Sequence, residues 1–278
     1  MLVAGVDVGA ATAKTAIVLD GKVISWAVMP TGDYVENSAM EVTITALAQA
    51  GYTMDDLDYC CSTGYGRRVV KFSQKAISEI ICHAKGVNYY FPDVRTIIDI
   101  GGQDSKVISV LENGTVADFV MNDKCAAGTG RFLEVMADVM RITINDMGPE
   151  AIKSKHPAQI NSTCTIFAES EMVSLRAQKT PREDMIAGIH KAVSRRVGIL
   201  GRQVGYKERI AFTGGVALNT GVIHFLQAFL KTTLVIPEPP QIMGAIGAAL
   251  LYSTKVGTTD FGQDEKVVED VYSSCGSC

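Results

Sequence analysis

Gly5-Val6-Asp7-Val8-Gly9 and Ile98-Asp99-Ile100-Gly101-Gly102 are two copies of one device. The first continues with Lys14, an apolar run from Ala16 to Leu19 and the turn Asp20-Gly21. The second continues with Lys106, a mostly apolar run from Val107 to Leu111 and the turn Asn113-Gly114. In both, glycine follows aspartate by two residues and lysine follows it by seven. Each copy reads as strand, tight glycine turn, strand, then a hairpin into a third strand, because Asp-Gly and Asn-Gly favour two-residue turns. The duplication predicts two related domains facing each other across a cleft, each bringing one carboxylate at a strand end. Asp7 and Asp99 so placed suit a magnesium-bound polyphosphate, since magnesium takes hard oxygen ligands and keeps several waters. Two ordinary hairpins with turn-capping aspartates are the plainer alternative, and they leave the matched spacings unexplained.

Outside these units the pattern is α/β. Helical spacing covers Asn37 to Ala50, Ser73 to Ala84 (ending near Gly86), Gly130 to Met140 and the Gly/Ala-rich stretch Ile242 to Tyr252. Thr180-Pro181-Arg182-Glu183 predicts a helix start with Thr180 as cap and Pro181 in the first helical position, running toward Val204. Leu57 to Cys61 and Arg209 to Thr213 read as strands, the latter entering Gly214-Gly215. The chain has 278 residues, 47% hydrophobic and 20% charged, enough for two packed domains. The expected division is residues 1–92 with 241–257, then 93–240, then a loose polar tail over 258–278. A net charge of −4 gives no basic field for nucleic acid or an anionic membrane. No apolar run approaches the roughly 18–20 residues of a membrane span, and Met1 to Asp7 reads as a core strand and not a signal peptide. A cytoplasmic setting is expected.

No GxxxxGK(S/T) motif is present, and no GxGxxG follows the first strand. Instead three glycine turns follow strands, at Gly9, Gly101-Gly102 and Gly214-Gly215, where backbone can approach phosphate closely. This pattern fits a nucleotide clamped between two domains. Asp7-Val8-Gly9, Asp99-Ile100-Gly101-Gly102 and Phe212-Thr213-Gly214-Gly215-Val216 resemble the phosphate and adenosine motifs of the acetate kinase, sugar kinase, heat-shock chaperone and actin superfamily. That resemblance implies two duplicated ribonuclease H-like domains, an actin-like ATPase fold.

Seven cysteines are present, an odd number in a chain of this size, so reduced thiols are the expectation. Cys125 lies in Asn122-Asp123-Lys124-Cys125-Ala126-Ala127-Gly128-Thr129-Gly130, a Gly-rich loop before a helix. Cys164 lies in Ser162-Thr163-Cys164-Thr165-Ile166-Phe167-Ala168-Glu169, before a second helix. A helix N-terminus favours thiolate and an anionic ligand set. A cubane takes four thiolates, so two chains about a two-fold axis would supply them. Buried inert cysteines are the competing reading, and it fits Cys60, Cys61 and Cys82. The tail pair Cys275 and Cys278 is a lone CxxC, able to bind metal or cycle as a redox pair, or simply free. His83, His156, His190 and His224 form no metal-ligand spacing.

The segments around Cys125 and Cys164, with Thr63-Gly64-Tyr65-Gly66-Arg67, Ile98 to Lys106, Ala187 to His190 and Gly244 to Ala249, closely resemble the activator ATPases of 2-hydroxyacyl-CoA dehydratases. That family includes the ATPase subunits of benzoyl-CoA reductase, and the resemblance runs to about Ser253. It implies a homodimer with one [4Fe-4S] cluster at its interface, ligated by Cys125 and Cys164 of each subunit. It implies anaerobic, ATP-driven transfer of an electron from a low-potential donor such as ferredoxin or flavodoxin into a partner iron–sulfur dehydratase or reductase. ATP or ADP with magnesium would occupy the cleft. Asp7 and Asp99 would hold the metal, and Gly9, Gly101 and Gly102 would contact phosphates. Lys14 would reach a phosphate or remain a solvated strand residue. Gln103, or more weakly Asp104, would orient the attacking water, with a plain turn side chain as the alternative for Gln103. Gly214, Gly215 and the helix start at Gly244 would wall the nucleoside. A small-molecule kinase or a nucleotide-sensing module on the same fold would need neither Cys125 nor Cys164.

Overall fold

The computed structural model describes residues 1–160 and 164–253. Its frame is two mixed sheets. The first contains β1 (Leu2–Val8), β2 (Thr12–Leu19), β3 (Lys22–Pro30), β4 (Tyr59–Thr63) and β5 (Lys75–Ala76), in the order β3-β2-β1-β4-β5. The second contains β6 (Thr96–Ile100), β7 (Ser105–Val110), β8 (Val116–Asn122) and β9 (Ile210–Thr213), in the order β8-β7-β6-β9. In each, the first strand runs antiparallel to the second, the second antiparallel to the third, and the first parallel to the fourth. The sequence duplication is therefore a topological one. The shared seven-residue spacing is hairpin register: Asp7 pairs across the strands with Lys14, and Asp99 with Lys106.

The helices are α1 (Val35–Gln49), α2 (Glu79–Tyr90), α3 (Gly130–Met140), α4 (Ile144–Ile152), α5 (Thr165–Ala177), α6 (Arg182–Leu200), α7 (Thr220–Leu230) and α8 (Met243–Ser253). Helix α1 lays Ala39, Val42, Ala46 and Leu47 on Ala4, Val6 and Ile17 of the first sheet. Helices α3, α4, α6 and α7 cover the second sheet, around Met136, Met147, Ile186, Phe212 and Leu226. Between the sheets lie α2 and α8. Ile80, Val87, Ile246 and Leu250 join Val3 and Val18 of the first sheet and Ile97 and Ile108 of the second in one core. Each such side chain contributes roughly 1.5–3 kcal/mol by leaving water, so this shared layer is what holds the two halves together. The two helices touch through glycine: a Cβ on Gly86 would stand 2.0 Å from the Met243 carbonyl oxygen, and one on Gly247 1.8 Å from that of Cys82.

Three local expectations change. The helix read over Ser73 to Ala84 is a short edge strand, β5, followed by α2. Its first half is drawn into the sheet because the Gln74 and Ile77 amides donate to the carbonyls of Cys60 and Ser62 on β4. Helix α2 then begins at Glu79, capped by the Ser78 hydroxyl on the Ile80 amide at 3.4 Å, and passes through Gly86 because α8 crosses there. Asp20-Gly21 is a two-residue turn with φ of 47° and 80°. Asn113-Gly114 instead sits in a longer loop, because β7 stops at Val110 and pairs there with Val116. Pro181, not Thr180, holds the cap position of α6, which ends at Leu200 and reaches Val204 through a 3₁₀ turn. The tail pair Cys275 and Cys278 lies outside the described residues, as does the tail segment 258–278.

Candidate nucleotide site and cysteine loops

A cleft of about 430 Å³ opens where β1 and β6 end. Asp7, Gly9, Lys14, Asp99, Gly101, Gly102, Asp104, Gly214 and Gly215 all line it. The duplication goes one strand further than the sequence reading took it. Asp7 lies opposite Thr63 on β4, and Asp99 opposite Thr213 on β9. Each threonine precedes a glycine of positive φ, 82° at Gly64 and 86° at Gly214. A Cβ on Gly64 would stand 2.4 Å from Asp7 Oδ1, and one on Gly214 3.0 Å from Asp99 Oδ1. Glycine is required twice over there, by backbone conformation and by the carboxylate against it.

The two copies differ in charge pairing. Lys14 Nζ is 3.6 Å from Asp7 Oδ2 and pairs with no second carboxylate among the described residues. Lys106 Nζ is 3.2 Å from Asp99 Oδ2 and also in an ion pair with Asp104 Oδ2. Burial opposes the Lys106 charge, but Asp99, Asp104 and Glu79 outweigh it and hold the ammonium charged well above its ordinary range. Burial likewise opposes the Asp99 carboxylate. The charges of His83 and Lys106 and hydrogen bonds from the Thr213 hydroxyl (2.8 Å) and Lys106 (3.2 Å) override it and hold the group below the usual carboxylate range. Lys14 is not a solvated strand residue, with its side chain 13% exposed.

The structure redistributes several expected roles. Gln103 is exposed and is not among the cleft-lining residues, because the turn projects Asp104 inward in its stead. The amides of Gly9 and Gly101 already donate to the carbonyls of Thr12 (3.0 Å) and Asp104 (2.9 Å), within their own turns. Gly244 is buried behind the cleft wall, where its Cα–H side faces Asp7 and His83. Two side chains missed in the sequence, Glu79 and His83, reach the cleft from α2. Their signal was two ionisable residues one turn apart on a largely apolar helix. Glu79 is paired with Arg67 at 3.1 Å, which also donates to the Gly64 carbonyl at 2.8 Å.

The cysteines separate into two kinds. Cys60, Cys61 and Cys82 are buried. Burial pushes the Cys60 thiol up to about 12 and the other two higher still. Cys125 is half-buried and Cys164 exposed. Cys164 is itself the cap residue of α5. Cys125 stands further back, in a loop fastened by the Asn122 amide on the carbonyls of Cys125 (2.8 Å) and Ala127 (3.2 Å). That loop leads into α3, whose first amides, Gly130 and Arg131, donate to the carbonyls of Gly101 (2.9 Å) and Gly102 (2.7 Å). Helix α3 packs on α5. The glycine turn of the second repeat and both cysteine-led helices thus form one connected body. No group of three metal-ligating side chains occurs within this chain among the described residues, nor any helix long and apolar enough to cross a membrane.

The profile of the BadF/BadG/BcrA/BcrD ATPase family matches residues 4–251. The chain belongs to this family. Its fold is that of the actin-like ATPases and sugar kinases, and the family is one of ATPases. The activator of lactoyl-CoA dehydratase from Anaerotignum propionicum is 42% identical, over 90% of this chain and 96% of its own. Component A of (R)-2-hydroxyglutaryl-CoA dehydratase from Acidaminococcus fermentans has a solved structure that superposes with a TM-score of 0.89 at 40% identity, covering 93% of this chain and all (100%) of that one. The activator of 2-hydroxyisocaproyl-CoA dehydratase from Clostridium difficile, solved with bound ADPNP, gives 0.86 at 37% identity, covering 97% and 98%.

Proposed function

We propose that this ATPase is a low-potential electron-transfer activator, working as a homodimer with one [4Fe-4S] cluster between two copies. Its electron acceptor is an iron–sulfur dehydratase of 2-hydroxyacyl-CoA substrates or a related reductase, and its donor a ferredoxin or flavodoxin. The donor set fits the cluster in kind: Cys125 and Cys164 are the accessible thiols among the described residues, one chain gives two, and a cubane takes four. When bound, the cluster supplies the one-electron chemistry. The hard carboxylates of Asp7 and Asp99 likewise fit magnesium, directly or through water, with phosphate filling further positions.

The remaining work falls to this chain's side chains. Lys14, with a single partner, turns toward a phosphate, whereas Lys106 stays fixed between Asp99 and Asp104 as the strut of the second repeat. Amides beyond Gly9 and Gly101 face the phosphates, since those two are engaged in their turns. Asp104, in place of the exposed Gln103, orients the attacking water. Gly214 and Gly215 wall the nucleoside.

The observation that carries this reading is the pair of hydrogen bonds from Gly130 and Arg131 to Gly101 and Gly102. A phosphate turn that moves with nucleotide state moves the helix behind Cys125 with it, and with it the angle between two copies. Rotation of rigid bodies about an interface is a common way to turn nucleotide state into a distant change. The test is to replace both Cys125 and Cys164 by serine and to measure ATP hydrolysis and ATP-dependent reduction of an acceptor dehydratase separately. Hydrolysis that persists while reduction disappears supports the proposal. Reduction that persists without the two thiols refutes it.

A further inference from the structure

His83 lies where the two repeats meet. Its side chain, 6% exposed, projects from α2 toward the end of β6, with Nδ1 3.5 Å from Asp99 Oδ1. That nitrogen makes no hydrogen bond among the described residues, although it is buried. On the other side of the ring, Nε2 lies 3.2 Å from the point a Gly244 Cβ would occupy, and Asp7 Oδ2 lies 2.9 Å from the same point. One imidazole therefore stands between the duplicated carboxylates, facing Asp99 with one nitrogen and the Asp7 side with the other. Space for it exists because α8 has glycine there. A polar ring nitrogen buried without a hydrogen bond is costly in a folded protein, and this one has only the longer ion-pair contact with Asp99, at the wall of a cleft lined by acidic and basic side chains.

We propose that His83 is a positioning residue of the ATP site, the post against which Asp7 and Asp99 are set. It belongs to the helix packed between the two sheets, so the separation of the carboxylates follows the placement of α2. The inference rests on the reading of the cleft as the site of magnesium-dependent ATP hydrolysis. Asp99 already has Thr213 and Lys106; His83 adds the third direction, the one that points across the cleft. Misplacement of a reacting group by about 1 Å costs on the order of 100-fold in rate, so a post at this place acts on kcat and on the metal-assisted part of nucleotide binding, not on the metal-free affinity.

The test uses the full-length protein with His83→Leu, His83→Gln and His83→Asn. Two quantities are read: steady-state ATP hydrolysis, and the strengthening of ADP binding by magnesium ion measured by calorimetry. His83→Leu should lower kcat by about 10- to 100-fold, with metal-free ADP binding changed less than about threefold. It should also abolish most of the magnesium effect on ADP. His83→Asn, whose amide nitrogen falls near the place of Nδ1, should recover most of both. If the leucine variant does not fold, glutamine replaces it: its amide reaches the Nε2 side, so it should lose what asparagine keeps. Parent-like behaviour of His83→Leu, or glutamine and asparagine variants that behave alike, overturns the role of His83. A parent protein that hydrolyses no ATP overturns the reading of the site itself, and is told apart from those outcomes by the parent measurement alone.

Discussion

The backbone N–H of Arg131 donates to the carbonyl of Gly102 at 2.7 Å, tying the first turn of α3 to the glycine turn of the second repeat. In the proposed mechanism it is the short route from nucleotide to cysteine, because α3 follows directly from the loop that carries Cys125. A Cβ on Gly102 would stand 2.7 Å from Cβ of Ala11 in the first repeat. Gly102→Ala must therefore widen the cleft by moving one turn against the other. Overpacking of this order costs about 1–3 kcal/mol. The variant should bind ATP more weakly and couple hydrolysis to electron delivery less well. Hydrogen exchange should report nucleotide-dependent protection of the Arg131 amide in the parent and its weakening in the variant.

Gly64 and Gly214 should be intolerant of alanine for the same reason in both halves. Positive φ alone costs about 1–2 kcal/mol for a residue with a Cβ, and the carboxylate against each adds crowding. A Gly64 Cβ would stand 2.4 Å from Asp7 Oδ1 and a Gly214 Cβ 2.3 Å from the Ile100 carbonyl oxygen, so both substitutions are crowded as well as strained. Thermal unfolding measures both; equal melting temperatures to the parent would contradict the role given to the turns.

Lys106→Met should destabilise strongly, by about 3–5 kcal/mol, because it leaves Asp99 and Asp104 buried without their counter-charge. Lys14→Met should cost less in stability and more in nucleotide turnover. The pH dependence follows from the depressed Asp99 carboxyl. Its contribution is fully present above the unfolded value of about 3.9, and is lost as pH falls through the lower folded value. Parent protein should thus keep this contribution into mild acid. Lys106→Met should unfold at a higher pH than the parent in an acid titration followed by circular dichroism.

Thiol labelling should sort the cysteines as their surroundings do. In cluster-free protein near pH 8, alkylation should reach Cys125 and Cys164, while Cys60, Cys61 and Cys82 stay protonated and shielded until the chain unfolds. Peptide mass mapping reads each site separately. Fast labelling of Cys60 in the folded state would contradict the core assignment.

Helix α5 presents Ile166, Phe167 and Val173 to solvent at 71%, 67% and 62% exposure, beside Cys164. Apolar side chains in that density mark a contact surface. In the proposed homodimer, Phe167→Glu should shift the protein from dimer to monomer in sedimentation and lower its iron content, with the fold kept.

Much of this was legible in the chain because the repeat is local. Aspartate, glycine and lysine at fixed short spacings become one hairpin, and register converts the seven-residue spacing into a cross-strand ion pair. The limits of α3 were equally plain from its amphipathic spacing. The fourth strand of each repeat was not recognised as part of the duplication, because Thr63-Gly64 and Thr213-Gly214 are separated from their aspartates by unequal lengths of chain. Nor was the inward role of His83: its only local trace is an ionisable residue one turn from Glu79 on a largely apolar helix, and its direction depends on α2 being shared by both sheets, a long-range fact. Gln103 and Asp104 are adjacent, and only the path of the turn decides which of them faces the cleft.

The most direct test of ATP-driven electron transfer through a shared cluster is the iron and acid-labile sulfide content per dimer after anaerobic purification, for the parent and for Cys125→Ser. About four irons and four sulfides per dimer, lost in the variant, is the expected result. Protein without iron in both, even after reconstitution with iron and sulfide, would return Cys125 and Cys164 to a structural role and leave an ATPase that moves no electrons.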